Sequence, residues 1–245
     1  MRSRSVLVAP RKEGRGASRR AGLAELTAAS VRAGLASVRA RISGAGGDPD
    51  HVRIIAVTKG FGPEAVNAAV GAGCTDIGEN YAQELLAKAD AIGLAEATVH
   101  FLGGVQRNKI SKIAAKVDVW QSVDRVDVGA AIQRHAPGAR VLLQVDLLEG
   151  AHPGRRGVAI DRAADLAGDL ERLGMTVEGV MAVGPPPPAD PEPGFRRVAA
   201  LARELELAEI SIGMSGDIEA AVRAGSTMVR VGTALFGPRP SRPKT

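Results

Sequence analysis

The sequence predicts one α/β domain, a (β/α)8 TIM barrel with an extra N-terminal helix, and three observations predict it. Short apolar strand patterns alternate with helical patterns along most of the 245 residues. The alternation counts out to eight strands, the number a closed barrel needs. The last two strands lie within EISIGMSGDIEAAVRAGSTMVRVGTALFG, residues 209–237, and each runs into a small, hydroxyl-bearing turn that opens a helix. Barrels of this kind carry their phosphate site after strands seven and eight.

Taken in order, residues 1–22 are a Gly/Ser/Arg-rich leader. Seven Arg or Lys against Glu13 give it +6, and the rest of the chain is close to neutral. Such a composition predicts disorder. Residues 23–42 place Leu23, Leu26, Val31, Leu35, Val38 and Ile42 at helical spacing, and Gly44–Gly47 with Pro49 end that helix. Strands follow at 53–58, 76–80, 99–103, 119–123, 140–145, 177–183, 209–214 and 228–232. Helices fall between them at 63–72, 81–92, 107–116, 125–135, 161–173, 194–205 and 218–224, with a short start at Ala234. The domain runs over 23–240 and a tail over 241–245. The segment GPPPPADPEPG, 184–194, reads as a stiff Pro-rich loop without structure of its own, a surface connection, a lid or a partner dock. A doubly wound open sheet is the competing architecture. It needs an early Gly-rich turn with an acidic ribose partner, and Lys59–Gly62 matches that poorly.

Composition narrows the function classes. Apolar residues make up 45% and aromatics only 2%, so the core is built from Val, Ile, Leu and Ala, as suits a parallel sheet under small-residue helices. No apolar run approaches the ~20 residues of a membrane span, and no secretory segment is present, so a cytoplasmic protein is expected. The single Cys74 excludes an internal disulfide framework and reads as packing. His100, His135 and His152 lack metal-ligand spacing, and no metal is expected. Net charge is +5, but the leader that carries the excess has no base-stacking aromatics and no sustained apolar face, so neither nucleic acid nor membrane is the expected partner.

The chemistry gathers at the C-terminal ends of the strands. The two turns, Ser215–Gly216–Asp217 and Gly232–Thr233, put Ser215 and Thr233 18 positions apart. Glycine admits close backbone approach, and the first amides of a helix have no partner within it. Hydroxyl donors and the helix dipole favour an anion there, so the pair forms a phosphate cup. In IIAVTK, strict alternation puts Ile55, Val57 and Lys59 on one face; if Val57 enters the lumen, so does Lys59. An amine facing apolar surroundings loses proton affinity and can condense with an aldehyde. The alternative is a rim lysine leaning into solvent. Strand one neighbours strand eight in a closed barrel, so an imine at Lys59 and a phosphate at the cup can belong to one ligand. Pyridoxal 5′-phosphate (PLP) carries both an aldehyde and a phosphate. Arg230 shares a face with Met228 and Gly232 and points into the lumen. There it donates to a pyridine nitrogen without protonating it, or pairs with a lumen carboxylate such as Glu79.

These residues carry a resemblance. AVTKGFGPEAVNAAVGAG, DIGENYAQELLAKA, HFLGGVQRNKISKI, QSVDR, LLQVD, GVMAVGP and the 209–237 block resemble the PLP homeostasis proteins, the YggS/PROSC-type family, over about 30–238. The resemblance implies the fold of the alanine racemase N-terminal domain (fold type III of the PLP proteins). It also implies PLP held as an internal aldimine on Lys59, and a role in buffering or delivering the cofactor without established turnover. Ser215, Gly232 and Thr233 then hold the phosphate, Arg230 faces the pyridine nitrogen, and Asn80 and His100 line the pocket. Met214 and Gly216 complete the cofactor-binding set. PLP-dependent apoenzymes are the implied recipients, and without a dimerising second domain a monomer is expected. Thr58 stands where the family usually has Ser, Gly104–Val105–Gln106 replaces a small-residue–Leu–Gln pattern, and Asp146 replaces an Asn. The stretch 149–157 is Gly/Arg-rich where relatives often have a Ser/Lys turn.

Two other classes stay open at this stage. A PLP-dependent amino-acid racemase or lyase would need a second acid/base opposite the lysine. Racemases of this fold take a tyrosine from a separate domain, whereas Tyr81, the one tyrosine here, starts a helix. A pure interaction protein would bind an acidic partner through the basic leader.

Overall fold

The computed structural model describes residues 26–148 and 156–239. The basic leader, most of the 149–157 stretch and the 241–245 tail lie outside the described residues.

The strands are β1 (Arg53–Val57), β2 (Asp76–Glu79), β3 (Thr98–Phe101), β4 (Val119–Val123), β5 (Arg140–Asp146), β6 (Val158–Ala159), β7 (Thr176–Ala182), β8 (Glu209–Met214) and β9 (Met228–Val231). All pair in parallel, in the order β4-β3-β2-β1-β9-β8-β7-β5, and β4 pairs with β5 to close the cylinder. Eight strands thus form the barrel, as expected, and the open-sheet alternative is excluded. The two-residue β6 was not expected; it is an appendage on β5, joined at Val145 and Val158.

The strands are buried on both faces, since side chains fill the lumen and helices cover the outside, and most carry apolar residues on both. Ile55, Val57, Val119, Leu142, Met181 and Met228 form one cluster with Leu102 packed against it, and this makes up the apolar part of the lumen. Their neighbours in sequence, among them Ala56, Trp120, Val141, Val180 and Val229, belong to a second, larger cluster under the helices, together with Ile77. Alternation along β1 and β9 therefore runs as the sequence predicts. Trp120 lies fully buried in that outer cluster against Phe101, ring centroids 5.6 Å apart.

The helices are α1 (Ala28–Gly44), α2 (Pro63–Gly71), α3 (Ala82–Ala95), α4 (Arg107–Ile113), α5 (Val126–Gln133), α6 (Ala163–Arg172), α7 (Glu192–Glu204), α8 (Ile218–Arg223) and α9 (Thr233–Phe236). Thr27 caps α1 in a reciprocal box with Ser30. The helix then packs against α2, α8 and α9, so the extra helix covers the outside of the β1–β9 seam. Two expectations are corrected. The helix of 107–116 ends at Ile113 and finishes as a 3-10 turn, Ala114–Lys116. The Pro-rich loop is shorter than read: α7 begins at Glu192, inside it, because Pro193 falls in the first turn, where its missing N–H is no loss, and Asp190 accepts the Glu192 N–H at 3.0 Å.

Candidate functional site

A cavity of about 310 Å³ opens at the C-terminal ends of the strands. Its walls are Val57 at the end of β1 and Lys59 beyond it, Asn80 beyond β2, Leu102 beyond β3, Met181 and Val183 of the β7 end, Met214–Gly216, Arg230, Gly232 and Thr233, with Phe61 and Arg239 at the side. Eight of the nine expected residues meet here: Lys59, Asn80, Met214, Ser215, Gly216, Arg230, Gly232 and Thr233.

The cup is built by the ends of β8 and β9. Gly213 breaks the β8 register at φ 94°, the left-handed region, and a Cβ there would come to 2.5 Å from the Ala221 Cβ. Asp217 accepts the Met214 N–H at 2.5 Å and holds the turn. The Ala234 N–H donates to Ser215 Oγ at 3.3 Å, so the two turns touch directly. Arg41 of α1 braces the cup from outside, donating to the Ser215 carbonyl at 2.8 Å and to both oxygens of Glu219 at 2.6 Å. Gly213→Ala is expected to cost about 1–3 kcal/mol, since strain and contact act together. Urea unfolding followed by Trp120 fluorescence measures it, and a loss below about 0.5 kcal/mol, the scale of an inert surface change, would refute that account.

Lys59 is half-buried. Burial, then the Arg239 and Arg230 charges, pull its proton affinity below that of an ordinary lysine, against the weaker pull of Glu79 and Glu84. Behind it the Thr58 hydroxyl donates to Glu79, and the buried Lys88 ammonium donates to the Thr58 carbonyl at 2.7 Å and to Glu79 Oε1 at 2.6 Å. Burial raises the Glu79 carboxyl, with the Lys88 charge opposing.

Arg230 enters the lumen, as alternation requires. Burial lowers its guanidinium to about 10, which keeps it a cation at neutral pH. Nη1 donates to the Ser211 carbonyl (2.6 Å) and Oγ (2.8 Å), and Nη2 to the Ala182 carbonyl (2.9 Å). Glu79 is not its partner, since that side chain lies on the outer face of β2 with Lys88.

His100 is the expectation the geometry corrects. It does not line the cavity; its ring sits 1% exposed inside the barrel, bonded to Asp76 and Gln121. It faces the lumen, but below the cavity, whose wall Leu102 joins two residues further along the chain. Sequence reasoning missed Phe61, Leu102, Met181, Val183 and Arg239. Leu102 and Val183 follow from alternation past the strand ends, whereas Arg239 carries no local signal. Cys74 is buried and its thiol is pushed up to about 11, consistent with packing. No group of His, Cys, Asp and Glu suited to a metal occurs among the described residues.

The residues fit PLP. A cavity of this size is ordinary for a small ligand, and it brings one amine of lowered basicity, an anion cup and a buried cation to a single wall. The model for the family described as alanine racemase, N-terminal domain, matches residues 29–240, and the fold places the chain in that class of barrel. An alanine racemase of Clostridium difficile is alike in fold (TM-score 0.67, 14% identity) over 85% of this chain and 57% of that one. Nearer relatives are smaller proteins. The pyridoxal phosphate homeostasis protein of Escherichia coli is 35% identical over 229 residues, 84% of this chain and 95% of that one. The protein of the same name from Deinococcus radiodurans is 38% identical over 215 residues, covering 84% and 99%. PipY of Synechococcus elongatus, solved with PLP bound, superposes with TM-score 0.73 at 32% identity, over 84% of this chain and all of that one. The chain belongs to the family of the pyridoxal phosphate homeostasis proteins.

Proposed function

We propose that this protein binds PLP in the seam cavity and serves its intracellular homeostasis by buffering or delivering it. The carrying observation is the meeting of Lys59 with the Ser215/Thr233 cup across the closed β1–β9 junction, which joins Ile55 to Arg230 in register. In this reading Lys59 holds the aldehyde carbon as an internal aldimine. Ser215, Gly216, Gly232 and Thr233 take the phosphate, Arg230 donates to the ring nitrogen, and Asn80 and Met214 close the wall. PLP bound this way supplies a covalent, reversible store of aldehyde. Arg230, a donor that keeps its own proton, leaves the ring a weak electron sink.

The reading as a carrier, not an enzyme, rests on what the wall lacks. Among the described residues the only titratable side chains lining the cavity are Lys59, Arg230 and Arg239. A racemase or lyase would need a proton donor opposite Lys59. Tyr81 is 55% exposed and lines a neighbouring cavity, and His100 is out of reach below. We place the protein in the cytoplasm as a monomer that passes PLP to apoenzymes; among the described residues no helix is long and apolar enough to cross a membrane.

Titration with PLP, read by absorbance and fluorescence, tests the reading: saturable, one-to-one uptake is expected. Changing both Ser215 and Thr233 to Ala is expected to weaken binding about 100-fold or more, since each hydrogen bond to a charged group contributes about 1.5–3 kcal/mol. Equal affinity in the double variant would place the phosphate elsewhere.

A further inference from the structure

Beneath the cavity, five buried polar side chains form a row through the barrel. His100 Nε2 lies 2.8 Å from Asp76 Oδ1, and Gln121 Nε2 lies 2.8 Å from His100 Nδ1. The Ser211 hydroxyl donates to Gln121 Oε1 at 2.7 Å, and Arg230 Nη1 donates to Ser211 Oγ at 2.8 Å. The row starts on β2 and β3, crosses the lumen from β4 to β8 and ends on β9. All five residues are less than 9% exposed.

Its ends fix its direction. A guanidinium has only donors, so Ser211 Oγ accepts at that end. The one Ser211 hydrogen then goes to Gln121, which turns the amide oxygen toward Ser211 and the amide nitrogen toward His100. His100 Nδ1 must accept, so its ring hydrogen sits on Nε2 and is given to the acceptor-only carboxylate of Asp76. The second Gln121 hydrogen faces Met228 Sδ at 3.3 Å. Every donor has one acceptor, and no link can reverse alone. With Nη1 used twice and Nη2 once, Arg230 has its Nε–H and one Nη2–H without a partner among the described residues, at the cavity it lines.

We propose that Gln121 and Ser211 are positioning residues, the final links of a one-way row from Asp76 that holds Arg230 in the single pose presenting a free donor to the nitrogen of the bound ring. The proposal deepens the PLP reading and rests on it for its ligand. It assigns His100 a part as well: a fixed acceptor inside the barrel, touching no ligand.

The experiment uses the full-length protein and four forms, wild type, Gln121→Met, Ser211→Ala and Ser211→Thr. Without cofactor, nitrogen-15 NMR reads hydrogen exchange at the Arg230 guanidinium, with Arg53, ion-paired to Glu209 outside the row, as internal control. PLP is then titrated into each, and Trp120 fluorescence reports the fold. Exchange at Arg230 is expected to quicken about tenfold or more in Gln121→Met and Ser211→Ala, with PLP affinity falling about tenfold, the scale of one hydrogen bond to a charged group. Arg53 should not change, and Ser211→Thr, which keeps the hydroxyl, should restore both values. Unchanged exchange and affinity in two folded variants overturn the proposal, as does quickening that Arg53 shares. Should Gln121→Met not fold, the Ser211 pair decides alone. Wild type that takes up no PLP defeats the PLP reading, while the exchange data still judge the row.

Discussion

Lys59→Ala is expected to abolish covalent capture of PLP while the protein stays folded. After borohydride reduction, intact-mass analysis should show one added cofactor on the wild type, mapped to Lys59, and none on the variant. The expectation follows from the surroundings of the amine. Burial and the charges of Arg239 and Arg230 lower its proton affinity, so at any pH below the ordinary lysine range more of it is free to attack an aldehyde. Lys88, the other lysine of this region, is 2% exposed, bonded to Glu79 and the Thr58 carbonyl, and off the cavity wall; it should carry no label. An adduct that persists in Lys59→Ala would end the argument. The pH profile gives a second test with a definite sign. Capture should rise with pH and reach half its maximum below the ordinary lysine value. Removing a positive neighbour with Arg239→Ala should move that midpoint upward. Stability carries the same sign: below the depressed folded-state value Lys59 is charged in both states and its burial costs stability in full. The unfolded chain binds more protons between the two values, so the penalty fades as pH climbs through that window.

Much of this site was legible because the barrel turns sequence parity into geometry. Alternation along IIAVTK and MVRVG put Lys59 and Arg230 in the lumen, and closure put their strands side by side. Parity gives the face of a residue, not its height along the axis. That is why His100 had the right face and the wrong level. Glu79 failed as a partner for Arg230 for a different reason: it shares a parity with Ile77, which packs outward, and its partner Lys88 arrives from the helix after the strand. Arg239 reaches the amine through the fold of the chain beyond α9, where neither strand nor helix period gives a direction.

The cup and the amine depend on different supports, so damage to one should spare the other. Arg41 of α1 and Asp217, just before α8, hold the Ser215 turn, whereas Thr58, Glu79 and Lys88 hold the Lys59 end of β1. Substitution at Arg41 should therefore weaken phosphate binding first. Free pyridoxal, which lacks the phosphate, should condense with Lys59 about as well in Arg41→Ala as in the wild type.

Lys88→Met is expected to be the most destabilising of these changes. The ammonium is enclosed with Glu79, which is 0% exposed, and Glu79 Oε2 has no partner among the described residues. Removing the cation leaves a carboxyl that burial already drives toward its neutral form, so breaking the pair should cost about 3–5 kcal/mol. For a domain of this size that is roughly a 10 °C fall in Tm, at about 2–4 °C per kcal/mol. Thermal unfolding followed by Trp120, the single tryptophan, measures it. Replacing both partners, as in Lys88→Met with Glu79→Gln, removes the stranded charge and should recover part of the loss, because a neutral pair has less to desolvate. A single variant within about 0.5 kcal/mol of wild type would show the pair to be inert. The double variant carries a second consequence: even with stability partly restored, the Thr58 carbonyl has lost its Lys88 donor. Capture of PLP at the adjacent Lys59 should stay impaired, which separates the pair's hold on the fold from its hold on the amine.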